Sequence, residues 1–197
     1  WWDEYVLDRT IGLQFLIAKS QEILGKNMFS AYLPTTGAAI LMILITYKLH
    51  EEFFSKKYAI VSPLILSTTY LWFDYSHLAT QDIIFSCLVT IGIFSLVKIK
   101  SKNNKFYILL FGIWIGLAFM MKTFLVFVPL FSLSPYFFIK KNFLTSKFFW
   151  LGLLVGFIPY ILWSLSINQY LEKNIIFYLV EKFNFLSNKN AFTNPFY

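Results

Sequence analysis

Six apolar runs, separated by connectors of only a few residues, constrain this chain more than any other feature. They cover about 33–49, 58–73, 83–97, 106–121, 123–139 and 149–168. A helix crossing a bilayer needs roughly 20 apolar residues. Several runs are shorter, so flanking polar side chains that snorkel are expected to complete them. Lipid offers no partner to backbone N–H and C=O groups, which makes helices the expected form of each run. Charged residues are 14% of the chain, against about 25% in soluble domains. Aromatic residues at 21%, including 24 Phe, suit lipid-facing helices and interfacial belts. The expected fold is all-α integral membrane, with about six transmembrane helices and two interfacial amphipathic helices on the non-cytoplasmic side.

The connectors alternate in charge. Lys48, Lys56 and Lys57 fill one; Lys98, Lys100, Lys102 and Lys105 fill the next but one; Lys140, Lys141 and Lys147 fill a third. Lysine-rich loops face the cytoplasm. The connectors at 74–82 and at Lys122, the segment 1–31 and the tail 169–197 then face the opposite side. Runs four and five are parted only by Lys122; fused, they would make one helix about 50 Å long, too long for a single crossing. A tight turn at Lys122 is therefore expected. Pro34 is expected at a helix start, whereas Pro63, Pro129 and Pro159 fall inside runs and predict kinks.

At the N-terminal side, Leu13, Leu16, Ile17, Ser20 and Leu24 make a helical stripe opposite Gln14, Lys19, Gln21 and Glu22, and Gly25 ends it. This reads as a helix lying in the interface. A second such stripe, Leu171, Ile175, Leu179 and Phe183, follows the last run. The chain opens on Trp1 and stops at Tyr197 in mid-pattern, so it reads as a piece of a longer protein. Its single cysteine, Cys87, makes no internal disulfide. The net charge of +7 does not indicate nucleic acid, because the lysines are scattered through short loops and Arg9 is the only arginine.

Four places carry charge that could bear chemistry, and in the first it stands where a membrane protein holds it least cheaply. The first is the polar island 72–82, with Asp74, His77 and Asp82. Asp82 opens the third run, where it reads as a helix N-cap, a site of carboxylate chemistry, or both. Asp74, His77 and Asp82 together leave a divalent metal open, although their spacing matches no established ligand pattern; no cofactor is specified. The second is Asp8-Arg9, where a planar guanidinium suits a lipid phosphate or plain headgroup anchoring. The third is Lys122, which either snorkels to outer-leaflet phosphates or pairs with an anion bound near the island. The fourth is Asp3-Glu4, an acidic pair that reads as a solvated terminus.

Two longer strings bring in a resemblance. Arg9-Thr10-Ile11-Gly12-Leu13-Gln14-Phe15-Leu16, then Ile23-Leu24-Gly25-Lys26-Asn27-Met28-Phe29-Ser30-Ala31-Tyr32-Leu33-Pro34, resembles a segment of the polytopic lipid-linked-sugar glycosyltransferases. These include the protein O-mannosyltransferases and the lipid A aminoarabinose transferases, of the GT-C fold. Thr80-Gln81-Asp82-Ile83-Ile84 is similar to their outer-loop Asp at the head of a span. Gly116-Leu117-Ala118-Phe119-Met120-Met121-Lys122-Thr123 is similar to their "Gly-Leu-Ala … Lys-Gly" hairpin, and Asn194-Pro195-Phe196-Tyr197 to the start of their "Pro-Phe-Tyr-Tyr" stretch. The chain departs from the pattern at Thr10-Ile11 for Pro-Pro, Tyr32 for Arg, and Thr123 for Gly. Asp3-Glu4 lies too close to Arg9 to be the family's catalytic acidic pair, which is expected upstream.

The resemblance implies one glycosyltransferase-like domain over 1–197, incomplete at both ends, with 1–31 an outer loop, 32–168 a six-span core and 169–197 the start of another outer loop. It implies membrane lipids and a polyprenyl-phosphate-linked sugar as partners, with the sugar passing to a lipid, glycan or protein acceptor. Arg9 and Lys122 would hold the donor phosphate. Asp82, or the upstream carboxylate, would act on the acceptor hydroxyl, with Asp8, Asp74 and His77 in support. The piece alone is expected to be inactive. The rival readings are a lipid or glycolipid flippase, which predicts broken helices and a repeat, and a non-catalytic membrane subunit.

Overall fold

The computed structural model describes residues 11–54, 56–99, 104–139 and 143–171. Among these there is no strand. The helices are α1 (Gly12–Leu24), α2 (Met28–Phe53), α3 (Val61–Thr68), α4 (Tyr70–Ser76), α5 (Gln81–Lys98), α6 (Lys105–Lys122), α7 (Phe127–Ser132), α8 (Ser134–Ile139) and α9 (Lys147–Leu171). Two compact units are distinguished. One is Thr10–Tyr160; the other joins Trp1–Arg9 to Ile161–Tyr197, and of it only the last turns of α9 are described.

Helix α1 forms over the expected stripe and stops at Gly25, whose φ of 84° lies in the region that side chains avoid. The next helix starts at once because Asn27 and Ser30 cap each other. The Ser30 N–H donates to Asn27 Oδ1 at 2.7 Å, and the Asn27 N–H donates to Ser30 Oγ. This places Pro34 inside α2 rather than at its start.

Among the described residues, four stretches are long and apolar enough to cross a membrane: Met28–Phe53, Gln81–Lys98, Lys105–Ser132 and Lys147–Ser166. The third includes the turn at Lys122. Phe111 and Phe137 rings lie 5.8 Å apart, whereas 26 residues of straight helix would separate them by about 39 Å. The chain therefore doubles back after Lys122, as its composition predicted. The second apolar run differs from expectation. It is broken at Thr69, which is extended (φ −70°, ψ 125°) between the short helices α3 and α4. Pro63 and Pro129 sit in the first turns of α3 and α7, where a missing N–H costs little, and do not kink a long helix. The expected amphipathic helix of the tail lies outside the described residues beyond Leu171.

Helix α5 packs between α2 and α6. It runs parallel to α2, since Glu52 pairs with Lys98 at one end while Ala39 meets Ile83 nearer the other. It runs antiparallel to α6, with Phe94 edge-on to Tyr107. Helix α6 is the most enclosed element. Ile108, Phe111, Trp114 and Ala118 are almost wholly buried, and Phe111 contacts Trp114, Phe137, Phe143 and Phe149 at ring distances of 5.4 to 6.2 Å. Against α6 lies α9, and the contact is made by backbone. Gly112 and Gly116 face Gly152 and Gly156, and a Cβ on any of the four would strike main-chain atoms of the opposite helix. Small residues four apart let membrane helices approach this closely. That spacing stands in the sequence twice, and the reading by apolar runs passed over it.

These directions sort the connectors. Lys48, Lys98, Lys105 and Lys147 lie at helix ends on one side of the Thr10–Tyr160 unit, whereas Asp82 and Lys122 lie at the other.

Candidate functional site

At the lysine-poor end, three helix termini converge. Helix α5 begins after Thr80, an extended residue whose side chain makes no capping bond. Asp82 is the second residue of α5, not its N-cap. It still sits in the first turn, where the positive end of the helix favours a carboxylate. Lys122 is the last residue of α6, where the negative end favours a cation. Because α5 and α6 are antiparallel, these two positions meet, and Lys122 Nζ forms an ion pair with Asp82 Oδ1. The lysine side chain is a quarter exposed and the aspartate side chain half exposed (25% and 49%), so the pair lies at the rim of the bundle.

The floor beneath the pair is apolar. Leu13 of α1, Ile84 of α5 and Met121 of α6 form a buried cluster joined by Leu16 and Ile17. Gly12 lies directly on Met121, since a Cβ there would overlap its side chain. Helix α1 is thus seated against the turn that carries Lys122. Past the lysine the backbone is strained. Thr123 has φ 38° and ψ −113°, a conformation that β-branched residues seldom adopt. The resembling family carries glycine at this position, the one residue without a steric penalty there.

Asp82 also faces an open cavity of about 420 Å³ lined by α2, α3, α4 and α5. Met42, Leu66, Leu71 and Ile83 supply apolar wall; Thr69, Trp72, Tyr75 and Ser86 supply polar or aromatic groups. The helix break at Thr69 opens onto it. The volume falls in the roughly 300–1,000 Å³ range of small-molecule sites. The island is fixed above α2 by the Thr36 hydroxyl, which donates to the Ser76 carbonyl at 3.4 Å.

The structure brings together two of the residues named from sequence, Asp82 and Lys122. The counter-ion of Lys122 is the Asp82 carboxylate. Asp74 is half-buried on α4, and exposed His77 packs edge-on against Phe73 at 5.2 Å. No hydrogen bond or ion pair joins either to Asp82 among the described residues. Nor do three or more His, Cys, Asp or Glu side chains gather there as for a metal ion, so Asp74, His77 and Asp82 are not one ligand set. Asp8 and Arg9, like Asp3 and Glu4, lie outside the described residues. Sequence reasoning missed Tyr75 and Ser86. Ser86 follows Asp82 by one helical turn, the spacing that shares a face, and was legible on that ground.

No curated protein and no solved structure matches the chain. The sequence model of a family described as dolichyl-phosphate-mannose-protein mannosyltransferase matches residues 8–164, a span that includes Asp82, Lys122, all of α1 to α8 and most of α9. With an all-α membrane architecture beneath that match, the chain belongs to the dolichyl-phosphate-mannose-protein mannosyltransferase family of membrane glycosyltransferases.

Proposed function

We propose that this chain forms part of an integral-membrane enzyme that moves a sugar from a polyprenyl-phosphate carrier to a hydroxyl acceptor, on the periplasmic or luminal side. The observation that carries the reading is the Asp82–Lys122 pair, at the lysine-poor end of a bundle whose sequence belongs to this family. Loops rich in lysine stay in the cytoplasm, which turns the pair outward.

The chemistry suits the two side chains. The acceptor oxygen attacks the anomeric carbon, the bond from that carbon to the phosphate oxygen breaks, and the electron pair leaves with the polyprenyl phosphate. The acceptor proton passes to a carboxylate, Asp82 or one supplied by another part of the protein. An ammonium has three donors, so Lys122 can hold Asp82 and a phosphate oxygen together, stabilising the departing charge. Arg9 is a second candidate for that phosphate, and a planar guanidinium suits it.

The test uses the full-length protein with a radiolabelled polyprenyl-phosphate sugar. Asp82→Asn and Lys122→Ala are expected to cut transfer at least about a hundredfold, the scale of a lost general base or charge stabiliser. Parental transfer by both variants would remove the site assignment. The break at Thr69, beside the cavity, favours a second reading as a lipid or glycolipid flippase, since broken helices line transport sites. Vesicles that translocate a labelled polyprenyl lipid without transferring its sugar would support that reading instead.

A further inference from the structure

The Asp82–Lys122 pair does not hold itself in place. With its carboxylate half exposed, it contributes too little to fix a lysine against the rotamer freedom of that long side chain. The position of the lysine backbone therefore has to come from the residues on either side of it. On one side, buried Met121 packs with Leu13 of α1 and Ile84 of α5. Gly12 lies so close that a Cβ there would stand 2.7 Å from Met121 Sδ and 3.0 Å from the Met120 carbonyl oxygen. On the other side is Thr123, the only non-glycine with positive φ among the described residues. A β-branched residue at φ 38° has a narrow range of backbone conformations. A shift imposed on Met121 is thus not absorbed after the lysine, and appears at Lys122.

Helix α1 is itself anchored at its far end. Its 13 residues span about 20 Å, from the Met121 contact to the corner with α2. There the Ser30 hydroxyl donates to the Gly25 carbonyl at 2.6 Å, and the Asn27 side-chain amide donates to the Leu24 carbonyl at 3.3 Å. Nearer the lysine, Leu16, Ile17 and Ala38 of α2 join the buried cluster of Leu13, Ile84 and Met121. Close-packed contacts of this kind transmit displacement and do not damp it. The end of α6 is thus tied through α1 to α2.

We infer that Gly12 is a positioning residue for Lys122: the first turn of α1, seated on Met120 and Met121, sets where the ammonium stands relative to Asp82. The missing side chain is the condition for that contact. Movement of α1 against α6 then regulates the pair, because it changes the reach of the lysine. For its bearing on sugar transfer the inference rests on the transferase reading; the coupling of α1 to Lys122 does not.

Full-length protein in nanodiscs is treated with a water-soluble amine-reactive ester. The labelling rate of Lys122, relative to exposed Lys26, is read by peptide mass spectrometry. Asp82→Asn removes the charge of the counter-ion and sets the upper rate. Gly12→Ala is expected to raise the parental rate about twofold to fivefold, the factor to which an exposed pair amounts. Met121→Ala removes the contact from the other side and is expected to do the same. The two together return the rate towards the parent, because the added methyl then meets vacated space. Gly37→Ala, with nothing near its Cβ, leaves the rate unchanged. Parental rates in both Gly12→Ala and Met121→Ala overturn the inference.

Transfer kinetics separate positioning from structure. Gly12→Ala is expected to lower kcat about tenfold or more, and to lower it no further on a Lys122→Met background. A fall of equal size on that background makes Gly12 structural and overturns its positioning role. Parent that transfers no sugar, with Lys122 labelling still raised by Gly12→Ala, sinks the transferase reading and leaves the coupling. Active parent, with parental labelling in Gly12→Ala and Met121→Ala, sinks the coupling and leaves the transferase.

Discussion

Asp82 and Lys122, 40 residues apart in the chain, are joined by an ion pair across the antiparallel α5–α6 contact. Each charge also sits at the helix end whose dipole favours it. The pair brings a carboxylate and an ammonium to one edge of a ligand-sized cavity, on the end of the bundle opposite the lysine connectors. A base and a phosphate holder would need such a juxtaposition.

Removing the pair is expected to cost little stability and much activity. With the aspartate side chain half exposed, the coupling between the two charges should be about 0.5–1 kcal/mol. A double-mutant cycle of Asp82→Asn and Lys122→Met, followed by thermal unfolding in nanodiscs, measures it. Coupling of several kcal/mol would make the pair structural first. Lys122→Arg keeps the charge and is expected to retain more transfer than Lys122→Met.

Thr123→Gly is expected to stabilise the protein. Relief of backbone strain contributes about 1–3 kcal/mol, less up to about 1 kcal/mol for the freer unfolded chain. A net gain of about 1 kcal/mol should raise the midpoint by about 2–4 °C in a chain of this size. A lower midpoint would mean that the threonine side chain makes contacts outweighing its strain.

Gly116→Leu and Gly156→Leu are expected to abolish the folded bundle, because the added side chain meets backbone of the opposite helix and neither helix can yield locally. Overpacking costs typically about 1–3 kcal/mol even where side chains can move. Gly37→Ala is the control. Nothing lies near its absent Cβ, and alanine is the better helix former, so it should be neutral or mildly stabilising. Fluorescence-detected size exclusion of the three variants gives the folded yield.

The sidedness can be read by thiol labelling. With the buried Cys87 replaced by Ala, a membrane-impermeant maleimide added to intact cells or sealed vesicles of known orientation should reach His77→Cys from the non-cytoplasmic face. Lys57→Cys should be labelled only after permeabilisation. Both positions are exposed, so access is set by the membrane and not by packing. The reverse pattern would invert the proposed orientation.

Much of the architecture was legible because it depends on local chemistry. The stripe from Leu13 to Leu24 and the stop at Gly25 set α1, and the lone lysine between two apolar runs marked the turn after Lys122. Alternating lysine connectors put Asp82 and Lys122 at one end before any packing was known. Other features were hidden for definite reasons. The run at 58–73 was read as one apolar span, which passed over Ser67-Thr68-Thr69, whose hydroxyls bond the Leu64 and Ile65 carbonyls where the helix breaks. Pro34 was misplaced because the Asn27–Ser30 capping box starts α2 earlier than the apolar residues do.

What the sequence by itself determined is thus most of the helical stretches, the reversal after Lys122 and the end of the bundle at which Asp82 and Lys122 lie, since hydropathy and charge act through solvent and lipid along the chain. Only the tertiary structure decided which residues at that end touch. It paired Asp82 with Lys122, seated Gly12 on Met121, laid Gly112 and Gly116 against Gly152 and Gly156, and turned Tyr75 and Ser86 toward one cavity. Those contacts depend on the rotation and register of helices distant in sequence, which close packing sets jointly and no single segment encodes.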